Sequence, residues 1–180
     1  MRNFTLTTIV LFVLVAGAWA ADKTDKKKTD SAVEHILRFQ TMYAVDGPFV
    51  GEENPIRDVI GDELPWAIAK SIRGKLDTAG HLKIWVRGLV FKDDPAVPPE
   101  LKGKNDEEAF RGLVSCLTED KDKVVTKNVT TEEFPATEDG NALIDAKIDL
   151  PSPCIAPIVM VLAGSEDKWF AVTGFEAEEQ

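Results

Sequence analysis

Histidine is almost absent from this chain: His35 and His81 are the only two in 180 residues. Neither has a Cys or His neighbour at zinc-ligand spacing, so an imidazole-based metal centre is not indicated. Cysteine is equally sparse, with Cys116 and Cys154 alone. No serine stands in a Gly-x-Ser-x-Gly elbow, and Ser115, Ser152 and Ser165 have no base near them in sequence. Long amphipathic helical patterns are missing too. Basic charge is the minority, 21 Lys and Arg against 31 Asp and Glu, for a formal net charge of -10. A field of that sign repels phosphate backbones and anionic membranes, so nucleic acid is not an expected partner.

The N-terminus reads as an export signal. Residues 1–8 carry one basic group, Arg2, and no acid, and residues 9–16 are wholly apolar. Ala18-Trp19-Ala20 then places small residues at the −3 and −1 positions of a cleavage site. The apolar run is about a dozen residues, short of the roughly 17–25 that a bilayer span needs. The expectation is a secretory signal over 1–20, a secreted or periplasmic protein, and no membrane span after cleavage. Residues 21–33 begin with ADKTDKKKTD, which has nothing large and apolar to bury, and read as a flexible charged leader. A single domain is expected over 34–176, followed by an acidic tail over 177–180.

In an oxidising compartment an even cysteine count suggests pairing, and two cysteines allow one connectivity, Cys116 with Cys154.

Strand signals dominate the rest. Residues 31–45 are ambiguous: Ser31 and Glu34 have capping-box spacing, whereas Leu37, Phe39, Tyr43 and Val45 alternate, favouring a strand from about Leu37. Residues 49–65 are rich in Gly, Pro and acids and predict a long ordered loop. Residues 66–76 and 82–91 predict a hairpin turned by Asp77-Thr78-Ala79-Gly80. In the second arm Leu82, Ile84, Val86 and Val90 alternate onto one face, with Lys83, Trp85, Arg87 and Phe91 on the other. Residues 92–105 predict a second long loop. Strands follow at 110–118 and 123–131, the latter polar and β-branched as an edge strand is. Ile144, Ala146, Ile148 and Leu150 alternate with Asp145, Lys147 and Asp149, and residues 155–163 and 169–175 close the domain. About eight strands, long loops and at most short helical turns predict an all-β fold: an antiparallel β-sandwich or a barrel-like sheet.

Several segments resemble a family of small exported bacterial proteins with no assigned activity. They include Asn54-Pro55-Ile56-Arg57, Val114-Ser115-Cys116-Leu117, Pro151-Ser152-Pro153-Cys154-Ile155-Ala156-Pro157 and Trp169-Phe170-Ala171-Val172-Thr173-Gly174-Phe175. The resemblance spans nearly all of the chain after residue 20. It implies an exported bacterial origin and carries no catalytic residues across.

Binding is the expected role, as a binding or structural module whose contact surface is built from the two long loops, because long loops on a rigid sheet usually carry function. The candidate ligand-binding residues are Trp66 and Trp85 as stacking surfaces and Asp58, Asp62, Glu63, Asp93 and Asp94 as loop acids. No catalytic residue and no metal ligand is assigned. Two alternatives use the same acids: an extracytoplasmic hydrolase with paired loop carboxylates, or a β-sandwich that binds calcium, which favours several oxygen ligands from flexible loops. Their spacing does not match an EF-hand, and no other cofactor is expected. A small molecule or a protein would suit the binding reading.

Overall fold

The computed structural model describes residues 34–174. The export signal expected over 1–20, the leader over 21–33 and the tail over 177–180 lie outside the described residues.

Ten strands form: β1 (His35–Phe39), β2 (Tyr43–Ala44), β3 (Ile60–Gly61), β4 (Trp66–Asp77), β5 (His81–Phe91), β6 (Ala109–Asp120), β7 (Lys123–Pro135), β8 (Ala142–Lys147), β9 (Ile155–Ala163) and β10 (Lys168–Val172). One 3-10 turn, Gly47–Phe49, is the only helical element among the described residues. The first sheet runs β1-β4-β5-β8. The second runs β2-β10-β9-β6-β7, with β3 added to β10. Every pairing is antiparallel except β3 with β10. The two sheets face each other without closing into a barrel, so the sandwich alternative holds.

The described part of the ambiguous segment, residues 34–45, supplies two strands, not one. β1 pairs with β4 in the first sheet and β2 with β10 in the second. Between and after them Met42 and Val45 are buried, where the chain passes from an edge of one sheet to an edge of the other. Leu37 and Phe39 satisfy the alternation within β1 alone.

The β4–β5 hairpin is as expected, in register from Trp66↔Phe91 to Leu76↔Leu82. Its turn has a local cause. The Asp77 Oδ1 accepts the backbone N–H groups of Ala79 and His81, both at 2.9 Å, and Gly80 takes φ +82, which favours glycine. One detail departs from simple alternation. Ala69 and Lys70 of β4 lie opposite the single residue Gly88, whose φ is +71, so the ladder bulges there. At Gly88 the in–out phase of β5 reverses. Leu82, Ile84 and Val86 point inward before it; Leu89 and Phe91 are buried after it. Phe91 therefore enters the core while Trp85 stays outside, although unbroken alternation puts them on one face.

The core between the sheets is aromatic at one end. The Trp66 ring lies 4.3 Å from Phe91 and stacks on Phe170 of the second sheet at 3.9 Å, and Phe170 meets Phe110 edge-on at 5.9 Å. In the middle, β6 presses on the first sheet at Gly112, where a Cβ would come within 2.9 Å of Leu82 and 3.3 Å of Ile144.

The second sheet is also covered on its outer side. Leu113, Ser115, Met160, Leu162 and Trp169 alternate away from the first sheet, yet all are buried. Residues 46–63 fold over them. Phe49 reaches to 6.2 Å from Trp169, and β3 pairs beside β10. The predicted loop thus contains a two-residue strand. This explains the near-continuous apolar run of β9, a strand buried on both faces.

Cys116 and Cys154 form a disulfide, with Cα atoms 5.0 Å apart. It ties β6 to the segment entering β9, within one sheet. Opposite Cys116 the register shifts between Ser115↔Ile158 and Leu117↔Ile155, leaving Ala156 and Pro157 at a bulge. A proline, which has no N–H to give the ladder, is tolerated at such a place.

Candidate binding face

Register decides which side chains share the outer side of the first sheet. Arg38 pairs with Lys75, Lys75 with Lys83, and Lys83 with Asp145, one row across four strands. In the next row Arg73 pairs with Trp85 and Trp85 with Leu143. Arg87 continues the same face of β5, and Lys147 the same face of β8. Between Trp66 and Leu76, and between Leu82 and Phe91, there is no acid at all. Among the described residues of this face, Asp145 offsets the row through a 2.6 Å bond from the Lys83 Nζ.

Like charges directly opposite each other in a ladder oppose folding. Arg38 against Lys75 and Lys75 against Lys83 are such pairs. In a chain with an excess of acids, their concentration here is a local feature that the net charge hides.

Trp85 stands at the centre, half-buried. The Arg73 guanidinium carbon lies 5.6 Å and the Lys83 Nζ 5.4 Å from its ring centroid, both within cation–π range. Leu143, opposite, is 47% exposed, which is high for a leucine on a sheet. Two open depressions meet at the Trp85 ring. One, of about 560 Å³, is lined by Lys70, Arg87, Pro135 and Leu143; the other, of about 280 Å³, by Arg38, Gln40, Arg73 and Lys75. An anion here meets guanidinium and ammonium donors beside an apolar ring.

The other sequence candidates are placed elsewhere. Trp66 is a core residue, stacked on Phe170, and offers no surface. Its indole Nε1 donates to the Asp62 Oδ2 at 2.8 Å, which also accepts from the Leu64 N–H at 3.3 Å. Burial pushes the Asp62 carboxyl above its ordinary value, with these bonds opposing. Glu63 pairs with Lys168, which also bonds Glu166 at 2.8 Å. Asp62, Glu63 and Glu166 have carboxylate oxygens within 4.8 Å of one another. The Lys168 ammonium already bonds two of the three; burial works against its charge, but these partners raise its pKa above the ordinary lysine value.

Asp93 bonds Lys102 at 2.8 Å, and this partner lowers its pKa. Asp94 accepts the Ala96 N–H at 2.9 Å and closes a turn. Asp58 is exposed, with φ +64. The two long loops touch through the Lys92 N–H to the Pro65 carbonyl at 2.9 Å. Asp62 and Glu63 of the first loop converge with Glu166 beside Lys168, while Asp93 and Asp94 of the second loop are held separately. The two histidines come to one end of the first sheet, on either side of Asp77: His35 pairs with it in register, and His81 Nδ1 lies 3.1 Å from its Oδ2.

Arg38, Arg73, Lys75, Arg87, Leu143 and Lys147 were not among the sequence candidates; Trp85 was. For Arg73, Lys75 and Arg87 the available signal was the run of cations without acids through both arms of one hairpin; Arg38, Leu143 and Lys147 join them only through strand register. The comparisons with known proteins add no second source. No family model, no curated protein and no solved structure matches the chain.

Proposed function

We propose that this is an exported binding module, with no catalysis of its own, that takes an anionic partner on the outer face of its four-stranded sheet. The observation that carries the reading is the unbroken row Arg38–Lys75–Lys83 beside a half-buried Trp85. Cations held opposite one another at a cost to folding are explained by an anion that relieves the repulsion when it binds. Binding is preferred to hydrolysis by loop carboxylates because Asp62, Glu63, Asp93 and Asp94 are each engaged by a lysine, an indole or a backbone amide. Calcium is disfavoured at Asp62, Glu63 and Glu166 because Lys168 is the cation there. Export agrees with the disulfide, since such bonds persist in oxidising compartments.

The test is retention on dextran sulfate against uncharged dextran. The protein is expected to bind the sulfated matrix and to elute as salt rises between about 50 and 200 mM. Lys75→Glu should abolish retention, while Lys127→Glu, a charge-matched change on β7 of the other sheet, should leave it intact. Equal loss from both variants would mean that only net charge matters and would remove the assignment to this face.

A further inference from the structure

We propose that the anionic partner is a linear polysaccharide of acidic sugars, laid across the strands of the first sheet over Trp85. This names the ligand class for the face described above and rests on that reading.

Three features select a chain over a monomer. The two depressions of about 560 and 280 Å³ are open rather than enclosed, and they share one wall, the Trp85 ring. A ligand filling both must continue across that ring. The cations repeat in step with the strands, Arg38, Lys75 and Lys83 being successive partners in one row, so their backbones are spaced by about 4.8 Å. The supporting surface is a sheet face, which suits an extended polymer better than a compact small molecule.

Two further features select sugar acids among polyanions. The face is amphipathic at its centre. Trp85 and the 47% exposed Leu143 offer apolar contact, while Arg73 and Lys83 sit within 5.6 Å of the ring centroid. A pyranose presents a C–H face to such a surface and a carboxylate or sulfate at its edge to the neighbouring cations. Arg73 supplies a planar fork suited to carboxylate. The cationic area is also small. Across four strands it spans roughly 14 Å, on a protein whose net charge is -10. Duplex DNA carries a charge every ~1.7 Å. It would overhang the patch and meet the acidic remainder. A polymer with one charge per sugar places fewer charges outside the patch.

The experiment is calorimetric titration with polygalacturonate, galacturonate monomer, duplex DNA and vesicles of phosphatidylglycerol. Polygalacturonate should bind tightest, and the monomer about a hundredfold more weakly, because the polymer engages several subsites at once. Trp85→Ala and Arg73→Gln should each weaken polygalacturonate binding about tenfold. Arg73 is exposed, so its variant keeps the test valid if Trp85→Ala unfolds; circular dichroism checks both. Tighter binding of DNA or of vesicles, or a monomer as tight as the polymer, would overturn the polysaccharide and leave an anion-binding face standing. If none of the four binds, the binding reading falls with it.

Discussion

Asp62 is a carboxylate enclosed beside the core tryptophan, and its chemistry is that of an acceptor. Its Oδ2 satisfies the Trp66 indole N–H, which has no route to water. Replacement by Ala strands that donor and should cost about 1–3 kcal/mol in urea unfolding. Replacement by Asn keeps an acceptor oxygen and removes the ionisation. Burial raises the Asp62 pKa above 3.8, so the folded state holds its proton to higher pH than the unfolded chain. Protons are then released on unfolding, and this group's contribution to stability declines as pH rises through that window. The stability of Asp62→Asn relative to the original protein should accordingly increase between about pH 3 and pH 7. A gap that does not change with pH would mean that Asp62 titrates as an ordinary surface acid. From the sequence Asp62 is one more acid in an acidic loop. Nothing in its neighbours reveals that its partner is Trp66.

Among the elements, the β4–β5 hairpin supplies most of the cationic face. Its existence and turn follow from local chemistry: alternating apolar residues, an Asp that bonds the turn backbone, and a glycine with positive φ. Its bulge does not, because Gly88 in a strand is compatible with either a continuous ladder or an interrupted one. The break at Gly88 sends Phe91 into the core and leaves Trp85 outside among cations. The cationic row then makes a prediction that runs against the usual sign for a functional mutation. Lys75→Glu turns two like-charge pairs into opposite-charge pairs with Arg38 and Lys83. It should stabilise the fold by about 0.2–1 kcal/mol, measured by urea unfolding at low salt, while dextran sulfate retention disappears. The gain should shrink at high salt, which screens exposed charges. A loss of stability in this variant would show that the row is neutralised some other way.

At the largest scale, residues 34–174 form a two-sheet sandwich with a second apolar layer under residues 46–63 and one covalent tie. The disulfide joins residues 38 apart, and on the chain-entropy model its reduction should cost roughly 3–4 kcal/mol. Urea unfolding with and without dithiothreitol, together with a Cys116→Ser/Cys154→Ser variant, measures this. No difference between oxidised and reduced protein would show that the loop it closes is already constrained in the unfolded chain. The sequence by itself determined the class of fold, the hairpin, the pairing of the only two cysteines and, among the described residues, the absence of long helices. These rest on periodicity, on turn residues and on a count, all properties of neighbours along the chain. The tertiary structure decided which strands adjoin, that residues 35–44 serve both sheets, that Trp66 is core and Trp85 surface, and that cations from three strands form one row. Those depend on register between segments far apart in sequence. In a sheet a shift of one residue exchanges the inside for the outside, and a single bulge makes that shift.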